Sequence, residues 1–344
     1  MKFKAAILVE QHKPLVIDQI EIIDKLEYGQ VLIRVVCSGI CGSQIGEIDG
    51  VKGPDRFLPH LLGHEGGGIV EDTGPGVTRV KKGDHVVMHW MKGYGIEAPT
   101  PKYKWGNRIV NAGWVTTFNE YAVVSENRLT PIADDVGFEI AALMGCAVTT
   151  AFGVINNDAM LKIGESIAIF GVGGVGMSMV CGAHLVAAHP IIAIDRYDSK
   201  LELTKRLGAT HTINTDRVDI KEEIYSITKK EGVDVAVDNT GNPRVIEMAY
   251  EVTSTTGRTI LVGVPKRGDN INIYSLPLHF DKKLKGSKGG NGNPSIDIPR
   301  YLRLIKNRGL DLKEMISHYF SLDGINRAIS MMREGKTIRC MITI

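Results

Sequence analysis

The sequence predicts an α/β protein, in which a small β-barrel or sandwich domain is joined to a doubly wound parallel sheet. Three observations carry this. The first 150 or so residues hold short alternating or β-branched runs between turn signals, with little helical periodicity. From about Thr149 to Lys285, apolar strands alternate with helix-like segments, the pattern of a parallel sheet with crossover helices. The last run, Thr337–Ile344, is strand-like and needs a sheet to join. Assigning it to the first domain makes that domain discontinuous. The expected domains are 1–148 with 287–344, and 149–286.

In the first domain, Ala5–Val9, Val31–Cys37, Gly68–Val70 and His85–Met88 read as strands. In the second, Ser166–Phe170 is an apolar strand followed by glycines and an uncharged helix pattern. Ile191–Ile194, His211–Asn214, Asp234–Val237 and Thr259–Val262 read as further strands. Ser199–Leu207, Lys221–Lys230 and Arg244–Val252 read as the helices between them. Ile298–Asn307 and Gly324–Glu334 read as late helices. The segment Gly286–Pro294, GSKGGNGNP, is the most flexible in composition and is a candidate hinge.

Ser166–Ile194 contains no Asp, Glu, Lys or Arg and is long enough to span a bilayer. Its glycines, followed by His184, His189 and Pro190, fit a strand, a turn, a buried helix and a second strand instead. The 41 Lys+Arg nearly cancel the 39 Asp+Glu, and no block of like charge stands out. Nothing therefore points to a nucleic acid or a membrane surface as partner. Five scattered cysteines, an odd count, read as reduced thiols or metal ligands in a cytoplasmic protein. The opening MKFKAAILVEQHK lacks an apolar core, so no signal peptide is expected.

Gly171, Gly173 and Gly176, with Gly174 and Val175 between them, follow a strand and open a helix. Asp195 closes the next strand. This is a dinucleotide fingerprint in its structural context. Gly171 permits the tight turn, Gly173 lets the backbone approach a pyrophosphate, and Gly176 lets the helix pack closely on the sheet. The helix N-terminus offers free N–H groups to the phosphates. A carboxylate at Asp195 accepts from ribose hydroxyls and repels a 2′-phosphate, which favours NAD over NADP. Arg196 pulls the other way, because an arginine can accommodate that phosphate.

Cys41, His64 and Cys146 each lie in a glycine-flanked context. Singly, a cysteine is ordinarily core packing and a histidine beside glycines structural. Together, two thiolates and an imidazole make a three-ligand zinc set with one open position, suited to catalysis.

These residues resemble the zinc-dependent alcohol dehydrogenases of the medium-chain dehydrogenase/reductase family. Gly63-His64-Glu65-x-x-Gly68-x5-Gly74-x2-Val77 matches that family's zinc signature in full. The order Cys, His-Glu, Cys, then glycine fingerprint also matches, as does the ending from Glu334 to Ile344, along essentially the whole chain. The resemblance implies a GroES-like first domain, a Rossmann second domain, and oxidation of an alcohol, or reduction of a carbonyl, with NAD. It implies Cys41, His64 and Cys146 as catalytic zinc ligands, with Glu65 near enough to approach the metal. Ser43 would begin a proton relay. Thr150 and Val175 would pack near the nicotinamide, with Val262 and the Ser287–Gly289 backbone facing the carboxamide. Arg339 would contact the pyrophosphate. A homodimer or homotetramer is the assembly implied.

Departures from the family pattern shape further expectations. Between Lys82 and Asn119 there is no cysteine, so one catalytic zinc and no structural zinc are predicted, with a shortened, aromatic-rich lobe. Gln44 stands where an Asp often supports the zinc-bound histidine, and Gly46 where a relay histidine often stands. His60 and His89 are then relay candidates. Trp90 either lines the substrate pocket or packs under the lobe. His89, Lys92, Tyr94 and Lys104 suggest a polar substrate, polyol or sugar-like. The rival readings are a zinc-free quinone or enone reductase and a non-catalytic binding protein on the same fold. Both would be expected to lack Cys41, His64 and Cys146.

Overall fold

The structure is a computed structural model that describes residues 1–344. Its first stretch contains β1 (Lys2–Leu8), β2 (Val16–Ile22), β3 (Gln30–Gly39), α1 (Gly42–Ile48), β4 (His60–Leu61), β5 (Glu65–Thr73) and β6 (His85–His89). It continues with β7 (Lys102–Trp105), β8 (Arg108–Asn111), β9 (Tyr121–Ser125), β10 (Leu129–Ile132), α2 (Phe138–Gly145) and α3 (Ala147–Gly153). Strands β1, β2, β7, β8 and β4 close a small barrel. Phe3, Ile7, Ile20, Tyr103 and Val110 fill it, with Phe3 meeting Tyr103 edge-on at 5.7 Å. Burying such aromatic faces is the dominant favourable term for a barrel of this size.

Helices α1 and α2 have no counterpart in the periodicity of the sequence. α2, FEIAALMG, has a single charge, Glu139, in its first turn, and Ala141 to Gly145 are all buried, so it has no polar stripe to mark it. It lies against β5, where a Cβ at Gly67 would meet the Phe138 carbonyl oxygen at 2.7 Å. The run of glycines is what lets helix and strand approach.

The second stretch alternates β11 (Ile167–Phe170), α4 (Gly174–Leu185), β12 (Ile191–Asp195), α5 (Asp198–Arg206), β13 (His211–Asn214), α6 (Ile220–Ile227), β14 (Val233–Asp238), α7 (Pro243–Val252), β15 (Thr253–Leu261) and β16 (Lys283–Gly286). All neighbouring pairs are parallel, in the order β13-β12-β11-β14-β15-β16. The chain starts at the centre and winds outward in both directions, as a doubly wound sheet does. The uncharged run is β11, α4 and β12. In α4 every residue from Gly176 to Ala183 is buried, which explains the missing charge without a bilayer. No single helix is long and apolar enough to cross a membrane.

The chain then adds α8 (Pro294–Arg308), β17 (His318–Ser321), α9 (Ile325–Arg333) and β18 (Cys340–Thr343). β18 pairs with β3 and β17 in a sheet ordered β10-β6-β5-β3-β18-β17, with β9 also on β3. The C-terminal strand therefore joins a sheet built from the first stretch. Two compact units result, 1–149 with 293–344, and 150–292. Residues 287–292 pack with the second unit, beyond the boundary expected at 286. The segment expected as a flexible hinge is held there: Gly289 and Gly290 are buried, and Ser287 and Asn291 bond to Asp158.

Candidate metal centre and cofactor turn

Cys41 caps the N-terminus of α1, directly after β3. His64 lies between β4 and β5, behind Gly63, whose φ of 91° requires a glycine. Cys146 caps the C-terminus of α2. Three separate elements thus deliver three side chains whose donor atoms all lie within 4.8 Å of one another. The Cys146 thiol donates to Cys41 Sγ at 3.8 Å. Two sulfurs on one tetrahedral zinc, each about 2.3 Å from it, stand about 3.8 Å apart. His64 Nε2 is buried and has no hydrogen-bond partner. A buried, unpaired nitrogen is costly and rare, and a cation among these donors satisfies it. The residues present therefore fit zinc.

The bond from Cys146, helped by the His64 imidazole, holds the Cys41 thiol well below its ordinary range. The same bond and burial push Cys146 up. Burial opposes a charge on His64, but Cys41 raises its pKa overall.

Glu65 lies outside the set of three converging donors, and its Oε2 is buried without a hydrogen-bond partner, as His64 Nε2 is. Its Oε1 accepts from Arg339 Nη2, and both side chains are buried. Burial pushes the Glu65 carboxyl up to about 7, against the downward pull of Arg339. Arg339, expected on the pyrophosphate, is 3% exposed and gives its Nη2 to Glu65, while its Nε has no partner. Removing either member of such a pair leaves the other buried and unpaired. Ser43 Oγ donates to Cys41 Sγ at 3.4 Å. Gln44 makes a contact the sequence did not reveal: its Oε1 accepts from the Gly63 N–H and its Nε2 donates to Glu47 Oε2 at 3.2 Å. It therefore ties α1 to the turn that presents His64.

The Trp90 ring sits 6.5 Å from the His64 ring and is partly exposed. His89 is a correction. It is 1% exposed, and both ring nitrogens are engaged, Nδ1 with the Met91 carbonyl at 2.7 Å and Nε2 with Thr130 Oγ1 at 3.0 Å. Burial pulls its pKa down to about 4, so it is a neutral internal strut, neither pocket lining nor relay. His60 is likewise engaged at both nitrogens, by Asp55 at 2.7 Å and the Leu61 carbonyl at 2.9 Å. Lys92 pairs with Glu97, and Tyr94 lies beneath the Arg79 guanidinium.

In the second unit, Gly171 has a φ of 82°, and a Cβ at Gly176 would strike its carbonyl oxygen. A Cβ at Gly173 would meet nothing within 4 Å. Gly173 is the N-cap of α4 and supplies no side-chain cap, so the N–H groups of Gly174, Val175 and Gly176 keep a free approach for an anion. The Asp195 carboxylate accepts from the N–H groups of Val172, Arg196 and Tyr197 at 3.0, 2.8 and 3.1 Å. Arg196 is exposed, with Nε 3.6 Å from Asp216. Val262 and Ser287 directly follow the ends of β15 and β16. The glycine turn, Asp195, Val262 and Ser287 therefore all lie at the carboxyl ends of parallel strands, where open α/β sheets bind ligands. Thr150 lies in α3, its carbonyl packed against Gly290. An uncapped turn with an acid on the next strand fits a dinucleotide.

A barrel unit with a Cys–His–Cys cluster, followed by a parallel sheet with a glycine turn, defines the class of zinc-binding oxidoreductases. Residues 27–134 match the alcohol dehydrogenase GroES-like domain and residues 174–307 the zinc-binding dehydrogenase domain. An S-(hydroxymethyl)glutathione dehydrogenase from Escherichia coli is 33% identical, over 99% of this chain and 100% of its own. An alcohol dehydrogenase zinc-binding domain protein from Burkholderia ambifaria superposes with a TM-score of 0.92 at 28% identity, over 100% of this chain and 99% of that one. Benzyl alcohol dehydrogenase from Acinetobacter calcoaceticus superposes with a TM-score of 0.90 at 28% identity, with the same coverage. The chain belongs to the zinc-dependent alcohol dehydrogenases of the medium-chain dehydrogenase/reductase family. It is an oxidoreductase with a GroES-like and a Rossmann-type unit.

Proposed function

We propose that this enzyme transfers a hydride between an alcohol and NAD, using one catalytic zinc per chain held by Cys41, His64 and Cys146. The observation that carries this is the convergence of those three side chains in one unit, with an unpartnered imidazole nitrogen among them. When bound, the zinc supplies Lewis acidity that lowers the alcohol's pKa, and NAD accepts the hydride. Ser43 Oγ, half-buried beside Cys41, would take the alcohol proton as its own proton passes to solvent water. Gln44 keeps the His64 turn in place through Gly63. Glu65 and Arg339 act as a buried charge pair behind the ligands, outside the reacting groups. Gly171 to Gly176 receive the pyrophosphate, and Asp195 holds the adenosine ribose, with Arg196 drawn toward Asp216 rather than a 2′-phosphate. Val262, Thr150 and the Ser287–Gly289 backbone flank the nicotinamide.

Two substrate classes follow. The residues Lys92, Tyr94 and Lys104 suggested a polyol or sugar-like alcohol. The nearness of Trp90 to His64 favours a second reading, an aromatic primary alcohol, and the benzyl alcohol dehydrogenase likeness points the same way. The test is NAD reduction with polyols, sugars, amino alcohols, short alcohols, benzyl alcohol and S-(hydroxymethyl)glutathione, with and without a chelator. A chelator-sensitive signal with one class supports the proposal. Chelator-insensitive turnover, or none with any alcohol in zinc-loaded enzyme, would overturn it.

A further inference from the structure

The Asp158 carboxylate is wholly enclosed, with a side-chain exposure of 0%. It ends the helical segment Val154–Asp158 that continues α3. Three donors from one short stretch close on it. Lys285 Nζ donates to Oδ1 at 2.8 Å, Asn291 Nδ2 to Oδ1 at 2.6 Å, and Ser287 Oγ to Oδ2 at 2.6 Å. Ser287 Oγ in turn accepts from the Gly290 N–H at 3.0 Å. The preceding residue, Asn157, donates to the Gly290 carbonyl at 2.8 Å.

The sheet does not order this stretch by itself. β16 is the edge strand, and its pairing with β15 ends at Gly286 opposite Leu261. One bond continues past that point, from the Ser287 N–H to the Leu261 carbonyl. Beyond it the chain reads Ser-Lys-Gly-Gly-Asn-Gly, with Gly289 and Gly290 at positive φ, a composition that stays mobile unless tied. The Asp158 bonds tie the side chains of Ser287 and Asn291, and Asn157 holds the Gly290 and Asn291 carbonyls beside them. Lys285 supplies the opposite charge that makes burying the carboxylate tolerable. The pinned residues lie at the carboxyl end of the sheet, the ligand side.

We propose that Asp158 is a positioning residue for the nicotinamide: it fixes the Ser287–Gly289 backbone so that this backbone meets the carboxamide in one orientation. The inference rests on the reading, given above, that this backbone faces the carboxamide. A segment already ordered loses little freedom when the cofactor binds, so NAD is held more tightly and its ring is aimed.

The experiment compares dissociation constants for NADH and for ADP-ribose, which lacks the nicotinamide, by calorimetry or tryptophan fluorescence. Asp158→Asn breaks charge-assisted bonds and is expected to weaken NADH about tenfold or more while leaving ADP-ribose within about twofold. Ser287→Ala and Asn291→Ala each remove one donor and keep the carboxylate paired, so they test the same point if Asp158→Asn folds poorly. Each is expected to weaken NADH a few-fold and to spare ADP-ribose. Equal weakening of both ligands, or of neither, overturns the proposal. If the wild-type protein binds ADP-ribose as tightly as NADH, the underlying nicotinamide reading fails first.

Discussion

Glu65 and Arg339, 274 residues apart in the chain, form an ion pair closed to solvent, with side chains 0% and 4% exposed. Glu65 follows the ligand His64 and opens β5, while Arg339 directly precedes β18. The pair therefore ties the C-terminal strand to the strand that carries the zinc signature. Gly39, at the end of β3, leaves room for it: a Cβ there would lie 2.9 Å from Glu65 Oε1 and 3.2 Å from Arg339 Nη2. Removing one partner strands a buried charge. Arg339→Met is expected to lower the free energy of unfolding by about 3–5 kcal/mol. Adding Glu65→Leu to it should restore part of that loss, since the orphaned carboxylate is then gone. Denaturant titration of the four proteins checks this. A double variant as unstable as the sum of the singles would show that the two residues do not act as a pair.

Cys146→Ser tests the metal centre. A neutral hydroxyl is a poor zinc ligand where a thiolate was a good one. Metal analysis should fall from about one zinc per chain to nearly none, with turnover lost. NADH affinity should survive, because the glycine turn and Asp195 belong to the other compact unit. Retained activity would remove Cys146 from the ligand set, and two zinc ions per wild-type chain would remove the single-zinc assignment.

What could be read from the sequence divides by range of interaction. Gly171 to Asp195 is a local unit, strand, turn, helix and strand, so residue types at fixed spacing carried it. β18 was legible because a terminal strand needs a partner. Cys41 and Cys146 stand 105 residues apart, and no spacing rule brings two such sulfurs together. Only the family signature around His64 did. The Glu65–Arg339 pair and the Asp158 bonds were hidden for the same reason, being long-range contacts: the resemblance set Glu65 by the metal and Arg339 on the pyrophosphate without joining them, and Asp158 carried no reading. α2 was hidden for another: a short helix whose last five residues are all buried loses the polar stripe by which helices are read. His89 misled because a histidine in a strand near an expected pocket looks available, and only burial shows that both nitrogens are spent.

Asp195→Gly tests the choice of cofactor. The carboxylate that faces the ribose in the proposed complex would repel a 2′-phosphate, and Arg196 stands next to it. Deleting the acid leaves the arginine free of that repulsion. The ratio of kcat/KM for NADP to that for NAD should rise about tenfold or more, the effect of trading a charge repulsion for an attraction at one phosphate. Initial rates with both cofactors measure it. Three N–H groups lose their acceptor as well, so some loss with NAD is expected. An unaltered ratio would count against the ribose role.

His89 links stability to pH. With Nδ1 donating to a carbonyl and Nε2 accepting from the Thr130 hydroxyl, the neutral ring is fully satisfied, and a second proton has no partner. Burial lowers its pKa from 6.5 to about 4. Between those values the unfolded chain binds a proton that the folded chain does not. Stability from this residue is thus complete above pH 6.5, falls as pH drops below it, and is spent near pH 4, a total of about 3 kcal/mol. Carboxylates titrate toward the acid end of that range, so the comparison needs a variant without the imidazole. His89→Gln lacks the titration and loses some of the neutral bonds. Its deficit in unfolding free energy relative to wild type should shrink by about 2 kcal/mol between roughly pH 7.5 and pH 5, read from urea titrations at each pH. A deficit that stays constant would mean that His89 takes up its proton as readily in the folded protein as in the unfolded chain, and that its two internal bonds do not hold it neutral.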